Sequence, residues 1–576
     1  MDHALDRAVA AGEAIGKTIV EADRLSRRDE EKAGLTTEAL RAVERDMMGR
    51  EAGGRGTAAR LASRAAAARI VAAAEARSAA QGHAWTEDQR AATIGLLTSR
   101  NRVHAVQGYA GTAKTTTVLA VYAAEAARAN KDVRALAPTA SAAQTLGRAL
   151  SREGMTVDRL LADVKRGRNL AVQNRWSRAE QVWIVDEGSM LSSEKLRDLF
   201  RAAETEKARV VLVGDVRQLG SVEAGYGFGQ LQRAGMATER LERIVRQTNA
   251  PLRQAVERAA QGDAARAMDH FVRTPGALIE AAKPADRYDA VAAQWLALTP
   301  EQRKDTLVID PSREGRVAIT ERIRAGLVAE GALGSTRVAA VRLESKGLTA
   351  AERRQPMHDA PGDVVAVQRD YSFGKTRLER NKPARVLAAS QADGTVTLKP
   401  EGGPAFEWRP GRKGADKAQV YARRVSDLRE RDRIVWTRND PRDKLVNGLR
   451  GEISAIDPAA KTATVTFADG RTRMIGLGTH AGQHWRHDDA QTVHAAQGAT
   501  SERVIVHAES WRINLVNDRS FYVAISRARD SGRLVTDDTA KLAQALAHRA
   551  GQKETALDRL EADRMRAAKT PPPGLG

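Results

Sequence analysis

The sequence predicts an α/β protein built on parallel sheets, with a smaller β-rich region inserted before the last α/β segment. From Trp85 to about residue 241, short apolar segments alternate with helical ones, as they do along a parallel sheet. Between about residues 336 and 478 the pattern changes to short β segments separated by turns. The α/β pattern resumes near Ala490.

Composition sets the broad class of the protein. A chain of 576 residues predicts roughly three or four domains. The chain has 93 Lys and Arg residues and 73 Asp and Glu residues, which gives a net charge of +20. This surplus favours a polyanionic partner such as nucleic acid. An Arg-rich surface encoded by a GC-rich genome would give the same surplus. The lack of cysteine excludes disulfides and thiolate metal sites. No apolar run of about 18 residues and no secretory signal is present, so we expect a soluble protein of the bacterial cytoplasm.

The elements can be predicted in chain order. Residues 1–80 contain no proline or aromatic residue and predict helices interrupted near residues 49–56, which we interpret as a helical spacer. Strands of a parallel sheet are predicted at residues 103–107, 133–137, 181–185 and 209–213, with helices at residues 115–130 and 140–152. A second α/β unit is predicted to begin near Leu241 and to include a strand at residues 306–309 and a helix after Pro311. The inserted β segments are predicted at residues 362–367, 385–389, 394–399, 433–436, 451–456 and 463–467, forming a small barrel or sandwich. The proline-rich residues 570–576 predict a disordered tail.

The chemistry begins with residues 103–117, which read VHAVQGYAGTAKTTT. A strand, a glycine loop and a helix N-terminus in this order predict a phosphate cradle, in which Lys114 reaches the β- and γ-phosphates and the Thr115 hydroxyl holds Mg²⁺. The usual pattern, G-x-x-x-x-G-K-[ST], has a second glycine where this chain has Ala113. The predicted nucleotide-binding loop residues are Gly108, Gly111, Thr112, Ala113, Lys114, Thr115 and Thr116.

Two further strand ends carry polar residues. The segment VWIVDE ends in Asp186 and Glu187, and a nucleotide-hydrolysing enzyme needs one carboxylate for Mg²⁺ and another group to orient the attacking water. We assign the metal to Asp186 and the water to Glu187. The segment VVLVGDVRQL places Gln218 beyond the next strand, where it can sense the γ-phosphate.

Three other residues are predicted to belong to the same site. Gln89 precedes the first strand, where it could read the adenine edge. Arg246 and Arg527 could stabilise charge on the γ-phosphate from another domain. Taken singly, each is more typical of an ordinary surface residue.

The ordered set of motifs carries a resemblance to a known family. The motifs are Gln89, GYAGTAKT (108–115), LAPTASAAQTL (136–146), VDEGSM (185–190), VGDVRQL (213–219), RIVRQ (243–247), TVHAAQGAT (492–500) and YVAISRAR (522–529). Together they resemble the motifs of superfamily 1 helicases. Their spelling is closest to the RecD-like branch (superfamily 1B), in particular to the helicase part of conjugative relaxase–helicases of the TraI/TrwC, MobF type.

The resemblance implies an ATP- and Mg²⁺-dependent DNA helicase. Two RecA-like P-loop domains would bind ATP between them and move 5′→3′ on single-stranded DNA, with the region around residues 432–440 forming an SH3-like subdomain. The implied division is a helical segment (1–80), the first RecA-like domain (81–245), the second in two parts (246–335 and 479–550), the β-rich insertion (336–478) and a tail (551–576). The implied nucleotide residues are Lys114, Thr115, Asp186, Glu187, Gln218, Arg246 and Arg527. Pro138, Thr139, Thr492 and His494 lie in motifs that face DNA in the family.

Two departures from the family keep alternatives open. Ala113 could crowd the β-phosphate, which would leave a non-hydrolysing scaffold for single-stranded DNA. The first tyrosine is Tyr109, and residues 1–84 contain only His3 and His83, so this chain cannot carry relaxase chemistry. It is either a fragment of a longer relaxase–helicase or a stand-alone relative, and a RecD-like repair helicase is the other alternative.

The expected partners follow from the resemblance. They are single-stranded DNA, single-strand/duplex junctions and, for a conjugative protein, the relaxosome and coupling proteins, with transfer into a recipient cell. His480, His484 and His487 have spacing that suggests zinc, but a solvated or DNA-facing loop is favoured because no cysteine is available. Tyr226 and Trp436 are candidates for base stacking, although core packing is favoured for both.

Overall fold

The chain divides into two compact units. The computed structural model describes residues 19–20, 36–167, 180–220, 226–349, 352–367, 370–373, 376–380, 382–412, 418–440, 445–468 and 470–549. Among these residues, one unit comprises residues 320–489, and the other joins the residues before 320 to residues 490–549. Within the described ranges, no helix is long and apolar enough to cross a membrane.

A six-stranded parallel sheet, here called the first sheet, forms the beginning of the larger unit. Its strands Gln181–Val185, Arg209–Gly214 and Val103–Gly108 are buried on both faces, which explains their largely apolar sequence. Trp183 and Val185 face one apolar cluster, and Val182 and Ile184 face the other. In spatial order the strands are Gly154–Thr156, Asp132–Ala137, Gln181–Val185, Arg209–Gly214, Val103–Gly108 and Thr238–Leu241.

Helices connect and cover these strands. Most begin at a Ser, Thr or Asn whose side chain accepts a hydrogen bond from a backbone N–H of the first turn, as Thr139 does from Ala142. The helices of this region are Glu38–Gly53, Arg64–Ala79, Glu87–Thr98, Ala120–Arg128, Ala140–Ala149, Val157–Lys165, Ser193–Thr205 and Gly227–Arg233. The predicted helix 140–152 therefore ends earlier, at Ala149. The predicted helix 115–130 begins instead with a wide turn, Thr115–Leu119, in which the Leu119 amide bonds to the Lys114 carbonyl five residues back.

The described N-terminal residues are part of the first sheet's domain and do not form a spacer. Met47, on helix Glu38–Gly53, is fully buried in the apolar cluster that includes Trp183. Arg50 on the same helix forms an ion pair with Glu204. A short antiparallel pair, Ile19–Val20 with Thr36–Thr37, precedes this helix, where only helices were predicted.

A four-stranded parallel sheet, here called the second sheet, completes the larger unit. Its order is Thr306–Ile309, Ser501–Ala508, Ala528–Thr536 and Leu278–Glu280. The two strands that come early in the chain therefore lie at the edges, with the two late strands between them. The helices of this part are Ala250–Ala260, Ala264–Ala267, Asp269–Arg273, Pro284–Leu296, Pro300–Lys304, Val493–Ala496, Asp518–Ile525 and Thr539–His548, and helix Arg313–Ala329 contains the boundary at residue 320.

The smaller unit, residues 320–489, is rich in antiparallel strands. Its six-stranded sheet has the order Arg337–Ser345, Ala418–Arg429, Val364–Val367, Ala384–Ser390, Thr395–Pro400 and Phe406–Trp408. Its five-stranded sheet has the order Thr472–Gly476, Thr462–Phe467, Arg450–Asp457, Arg433–Trp436 and Trp485–His487. A hairpin pairs Tyr371–Phe373 with Thr376–Leu378.

The predicted fold class is confirmed: parallel α/β sheets with a β-rich insertion. All six predicted β segments of the insertion contain strands, and these strands belong to two sheets. The predicted small barrel or sandwich stays a prediction. Strands Arg337–Ser345 and Ala418–Arg429 were missed, and they pair with each other over nine residues. The SH3-like character of the part around residues 432–440 and the predicted domain limits stay predictions. The predicted disordered tail lies outside the described residues.

Candidate active site

The phosphate loop leaves the carboxyl end of strand Val103–Gly108 in the first sheet. Gly111 has a φ of +88°, and a Cβ there would lie 2.6 Å from the Cβ of Arg246, so both the conformation and the space require glycine. The Gly111 carbonyl accepts hydrogen bonds from the amides of Val245 (2.9 Å) and Arg246 (3.1 Å). A Cβ on Gly108 would lie 2.7 Å from the Lys114 side chain. The loop is therefore closely packed against the segment that carries Arg246.

Ala113 adopts the conformation that explains the glycine of the usual pattern. Its φ is +55°, in the left-handed region, where an L-residue with a Cβ pays roughly 1–2 kcal/mol. The Ala113 carbonyl accepts hydrogen bonds from the hydroxyls of Thr117 (2.8 Å) and Thr116 (3.3 Å), which hold the start of the wide turn. The loop thus keeps the left-handed backbone despite the substitution.

Lys114 lies folded back over the loop. Its ammonium donates to the carbonyls of Gly108 (2.6 Å) and Tyr109 (3.0 Å), and the Thr112 hydroxyl also donates to Tyr109 (3.0 Å). Burial lowers the pKa of Lys114, and the carboxylates of Asp215, Asp186 and Glu187 oppose this effect. An ammonium surrounded by carbonyls and carboxylates is well placed to exchange these partners for phosphate oxygens.

Asp186 and Glu187 follow strand Gln181–Val185, as predicted. The Asp186 carboxylate accepts the Glu187 amide at 2.8 Å. Burial raises the pKa of Asp186, and burial together with the Asp186 charge raises the pKa of Glu187. Glu187 has a φ of +53°, a strained value for a side-chain-bearing residue, and its carboxylate accepts from the Gln497 side chain at 3.2 Å. Gln497 had no assigned role, although it lies in the motif TVHAAQGAT.

The loop after strand Arg209–Gly214 centres on Asp215, which is almost fully buried. Its two carboxylate oxygens accept from Gln107 Nε2 (3.2 Å), the Arg217 amide (2.9 Å), Gln218 Nε2 (3.2 Å) and the Tyr522 hydroxyl (2.9 Å). The sequence identified Gln218 but not Gln107, Arg217 or Tyr522 as members of this group. Side chains that donate to one shared acceptor need no fixed spacing along the chain, so no sequence motif marks them.

Arg246 and Arg527 come together from separate parts of the chain. Arg246 donates to the Ser526 carbonyl at 3.0 Å, and Arg527 donates to the Val523 carbonyl (3.0 Å) and the Ser526 hydroxyl (2.8 Å). Burial lowers the pKa of Arg527, and burial with the nearby charge of Arg527 lowers the pKa of Arg246 to about 9. At a pKa of about 9, Arg246 is cationic at neutral pH. The charge of Glu187 raises the pKa of both arginines.

Gln89 is buried and braces the phosphate loop in this structure. Its Nε2 donates to the Thr112 carbonyl at 2.9 Å, and its Oε1 accepts the Thr86 amide at 3.0 Å as part of a capping box. Both ends of the side-chain amide are therefore bonded to backbone. That Gln89 reads adenine stays a prediction.

The predicted DNA-facing residues lie at strand ends in both sheets. Pro138 and Thr139 follow strand Asp132–Ala137, and the Thr139 hydroxyl caps helix Ala140–Ala149. Thr492 caps helix Val493–Ala496 directly after Gln491, which pairs with the end of strand Thr306–Ile309. His494 is exposed on that helix. Ligands of parallel sheets bind at the carboxyl ends of the strands, which is where the hydroxyls of Thr139 and Thr492 lie.

The remaining candidates from the sequence lie in packed surroundings. Tyr226 and Trp436 are both buried, and the Tyr226 hydroxyl donates to the Val216 carbonyl at 2.8 Å. His480 and His484 stack edge to face with ring centroids 4.6 Å apart, and burial with the neighbouring His480 lowers the pKa of His484 to about 3. Among the residues that the structure describes, no three His, Asp or Glu side chains are arranged to hold a metal ion.

Comparison with known families gives two matches to this chain. Residues 84–282 match the family model described as "AAA domain", and residues 461–536 match that of the "Viral superfamily 1 RNA helicase core domain". These matches fall on the phosphate loop and acidic pair, and on the segment that carries Gln497 and Arg527.

Similar proteins include a conjugation protein and a subunit of the RecBCD enzyme. The chain is 27% identical over 524 residues to the multifunctional conjugation protein TraI of Escherichia coli, covering 83% of this chain and 29% of TraI. It is 27% identical over 485 residues to the RecBCD enzyme subunit RecD of Mycolicibacterium smegmatis, covering 78% of this chain and 70% of RecD. A solved structure of Pif1 helicase from Bacteroides aligns with 84% of this chain and 98% of its own, with 17% identity and a TM-score of 0.46.

The two family models and the similarity to TraI and RecD confirm the predicted resemblance to TraI- and RecD-like helicases and the predicted class of enzyme, a helicase. The chain spans less than a third of the length of the TraI proteins that it matches.

Proposed function

We propose that this chain is an ATP-dependent motor that moves 5′→3′ along single-stranded DNA and unwinds duplex ahead of it. The observation that carries the proposal is that the two sheets contribute opposite parts of one site. The first sheet supplies Lys114, Asp186 and Glu187, and the segments packed with the second sheet supply Gln497 and Arg527. A site divided in this way would link hydrolysis to relative movement of the two sheets.

The side chains present fit ATP with Mg²⁺. Oxygen ligands suit Mg²⁺, and the Thr115 hydroxyl and Asp186 carboxylate would hold it, where it would neutralise phosphate charge. Lys114 would bind the β- and γ-phosphates. Glu187 would accept a proton from the attacking water, and the raised pKa of its carboxyl suits a general base.

The remaining predicted residues complete this assignment. Arg246 and Arg527 would stabilise negative charge on the transferred phosphoryl group, and Gln218 would sense the γ-phosphate. The cradle around the phosphates would be formed by Gly108, Gly111, Thr112, Ala113 and Thr116. Pro138, Thr139, Thr492 and His494 would contact the DNA strand, whose backbone is bound by hydroxyls and cations.

The first test is ATP hydrolysis with and without single-stranded DNA. We expect strong stimulation by DNA, abolished by Lys114→Ala and unaffected by Lys165→Ala, an exposed lysine on helix Val157–Lys165. DNA binding without hydrolysis in the unmodified chain would contradict the motor and support the scaffold alternative. Direction is tested with partial duplexes, because a 5′→3′ motor unwinds those with a 5′ single-stranded tail and leaves those with a 3′ tail intact.

We further propose that the motor serves conjugative plasmid transfer, as the motor part of a relaxase–helicase. The similarity to TraI, whose name includes conjugation, supports this, and the similarity to RecD supports the repair alternative. In the conjugative case, loss of the gene lowers plasmid transfer frequency and leaves survival after DNA damage unchanged. The opposite pattern would favour the repair role, and association with relaxosome or coupling proteins is expected only in the first case.

A further inference from the structure

The hydroxyl of Tyr522, on a helix that packs with the second sheet, forms hydrogen bonds with two loops that follow strands of the first sheet. Tyr522 lies on helix Asp518–Ile525 and is fully buried. Its hydroxyl accepts the backbone N–H of Ala110 at 2.7 Å and donates to Asp215 Oδ2 at 2.9 Å. Ala110 belongs to the phosphate loop, and Asp215 begins the loop that contains Gln218. The hydroxyl of Tyr522 therefore joins three segments at one point.

The packing around Ala110 supports a close connection between the two sheets. The Ala110 side chain lies in the apolar cluster that includes Val504, Val506 and Leu534 of the second sheet. The phosphate loop is thus packed against the second sheet's core as well as hydrogen bonded to its helix. A change in the loop would be transmitted through both contacts.

Asp215 connects the hydroxyl to the rest of the loop at residues 215–218. Its carboxylate has four hydrogen-bond donors, and it is buried, so each bond is worth more than the same bond in water. One of these donors is the side chain of Gln218. Losing the Tyr522 hydroxyl would leave a buried acceptor without one of its donors and would loosen the group as a whole.

Helix Asp518–Ile525 has further contacts with the same loop. Asp518 forms an ion pair with Arg217 and accepts the Ala264 amide at 3.2 Å. Arg519 donates to the Tyr226 hydroxyl at 3.3 Å. The bonds of Asp518 and Arg519 hold the N-terminal end of the helix. Tyr522 lies closer to the C-terminal end, so its hydrogen bonds are the ones nearer to Arg527, which follows the helix.

We propose that Tyr522 is a positioning residue that couples filling of the phosphate loop to the affinity for single-stranded DNA. This inference rests on the proposed function. A phosphate oxygen is anionic and is a stronger acceptor than a neutral phenol, so bound nucleotide competes with Tyr522 for the Ala110 amide. Release of that amide frees the helix that precedes Arg527, and the two sheets change their relative position. The coupling is thermodynamic, because the nucleotide interacts differently with the two arrangements.

The test uses Tyr522→Phe, which removes the hydroxyl and keeps the buried ring. The dissociation constant of a fluorescein-labelled oligo(dT) is measured by anisotropy with and without a non-hydrolysable ATP analogue. We expect the analogue to change that constant by about fivefold or more in the unmodified chain and by less than about twofold in the variant. DNA-stimulated kcat should fall about tenfold, as loss of the buried bond from Tyr522 to Asp215 in the transition state implies. The KM for ATP should not rise, because the variant has no hydroxyl to compete with phosphate for the Ala110 amide.

Tyr122→Phe is the matched control. Tyr122 is equally buried in the first sheet's region, and its hydroxyl bonds to Arg209, the first residue of strand Arg209–Gly214. A general effect of removing a buried hydroxyl would appear in both variants. The inference is supported if the two variants have equal melting temperatures and only Tyr522→Phe changes the ratio of the oligo(dT) dissociation constants measured with and without the ATP analogue. Asp215→Asn tests the same bond from its other end. An amide nitrogen in place of Oδ2 cannot accept the hydrogen bond from the Tyr522 hydroxyl, so we expect the same loss of coupling between nucleotide and DNA binding.

The outcomes separate the inference from the proposed function. If the unmodified chain shows DNA-stimulated hydrolysis and Tyr522→Phe keeps the full nucleotide effect on DNA affinity, the inference is overturned and the motor stands. If the unmodified chain shows neither hydrolysis nor a nucleotide effect, both are overturned.

Discussion

Ala113 shows how a phosphate loop can keep its shape without its second glycine. The residue has a φ of +55°, so its methyl group costs free energy in the conformation that the loop adopts. Glu187 shares this strained region, with a φ of +53°, and stands beside Asp186. Two strained residues therefore lie at the positions proposed for phosphate binding and water activation, where strain is often found.

Ala113→Gly should tighten nucleotide binding. Removing the methyl group removes its crowding of the β-phosphate, which arises only in the bound loop, and relief of about 0.7 kcal/mol corresponds to roughly threefold tighter ADP binding. The measurement is titration calorimetry. Lys207→Gly is the control, since Lys207 has a φ of +52° at an exposed position after helix Ser193–Thr205 and should leave ADP affinity unchanged. Weaker ADP binding by Ala113→Gly would show that alanine is preferred here for another reason.

Glu187→Gln should bind ATP and lose turnover by at least about 100-fold, because an amide cannot accept the proton of the attacking water. The raised pKa of Glu187 sets the pH dependence. The base must be ionised, so kcat/KM falls as pH falls through a pKa above the ordinary range of a glutamate, and this acidic limb disappears in the variant. Wild-type turnover by Glu187→Gln would exclude Glu187 as the base.

At the scale of elements, sequence patterns located the strands that are buried on both faces. Strand Gln181–Val185 was predicted with the limits that the structure shows, because its four apolar residues lie between polar ones. Strands Arg337–Ser345 and Ala418–Arg429 were missed because they mix arginines with apolar residues and are stabilised by pairing with each other across more than 70 residues of sequence. Such pairing is a property of the fold, and local periodicity does not report it.

In the candidate site, too, the residues in local motifs could be predicted from the sequence, and those that depend on long-range contacts could not. Lys114, Asp186 and Glu187 stand in local motifs with fixed spacing, so the sequence identifies them. Gln497 and Tyr522 act through contacts with residues more than 300 positions away, and no local pattern predicts those contacts. Only the fold brings them to the loop.

Helix Glu38–Gly53 should be required for the stability of the first sheet's domain. Met47→Ala removes a fully buried side chain and should lower the free energy of unfolding by roughly 2–5 kcal/mol. Native-state hydrogen exchange of strand Gln181–Val185 measures this effect, because the strand lies in the same apolar cluster. Met474→Ala is the control, with a side chain that is 70% exposed. Unchanged exchange in Met47→Ala would restore the interpretation of this segment as a spacer.

At the scale of the whole molecule, the net charge of +20 is consistent with binding to a polyanion. In the proposed motor, basic side chains would contact the phosphates of the DNA strand. Electrostatic binding of this kind releases counterions, so its strength depends steeply on salt.

The affinity for oligo(dT) should therefore fall with salt. If the chain neutralises about three phosphates, affinity falls roughly 20-fold between 50 and 200 mM salt. Fluorescence anisotropy at several salt concentrations gives the slope of log affinity against log salt. An affinity independent of salt would contradict binding through the phosphate backbone, and a duplex of equal length serves as the comparison.

The order of strands in the second sheet has a consequence for how the protein is made. Strands Thr306–Ile309 and Leu278–Glu280 leave the ribosome early but occupy the two edges, and the strands that lie between them are synthesised last. Roughly 190 residues separate Thr306–Ile309 from its neighbour Ser501–Ala508, which at ordinary rates of translation is a delay of roughly 10–40 s. During that interval the antiparallel insertion can fold while the edge strands wait unpaired. A ribosome that stalls before residue 501 would therefore release a chain with a finished phosphate loop and exposed strand edges, and such chains are candidates for chaperone binding.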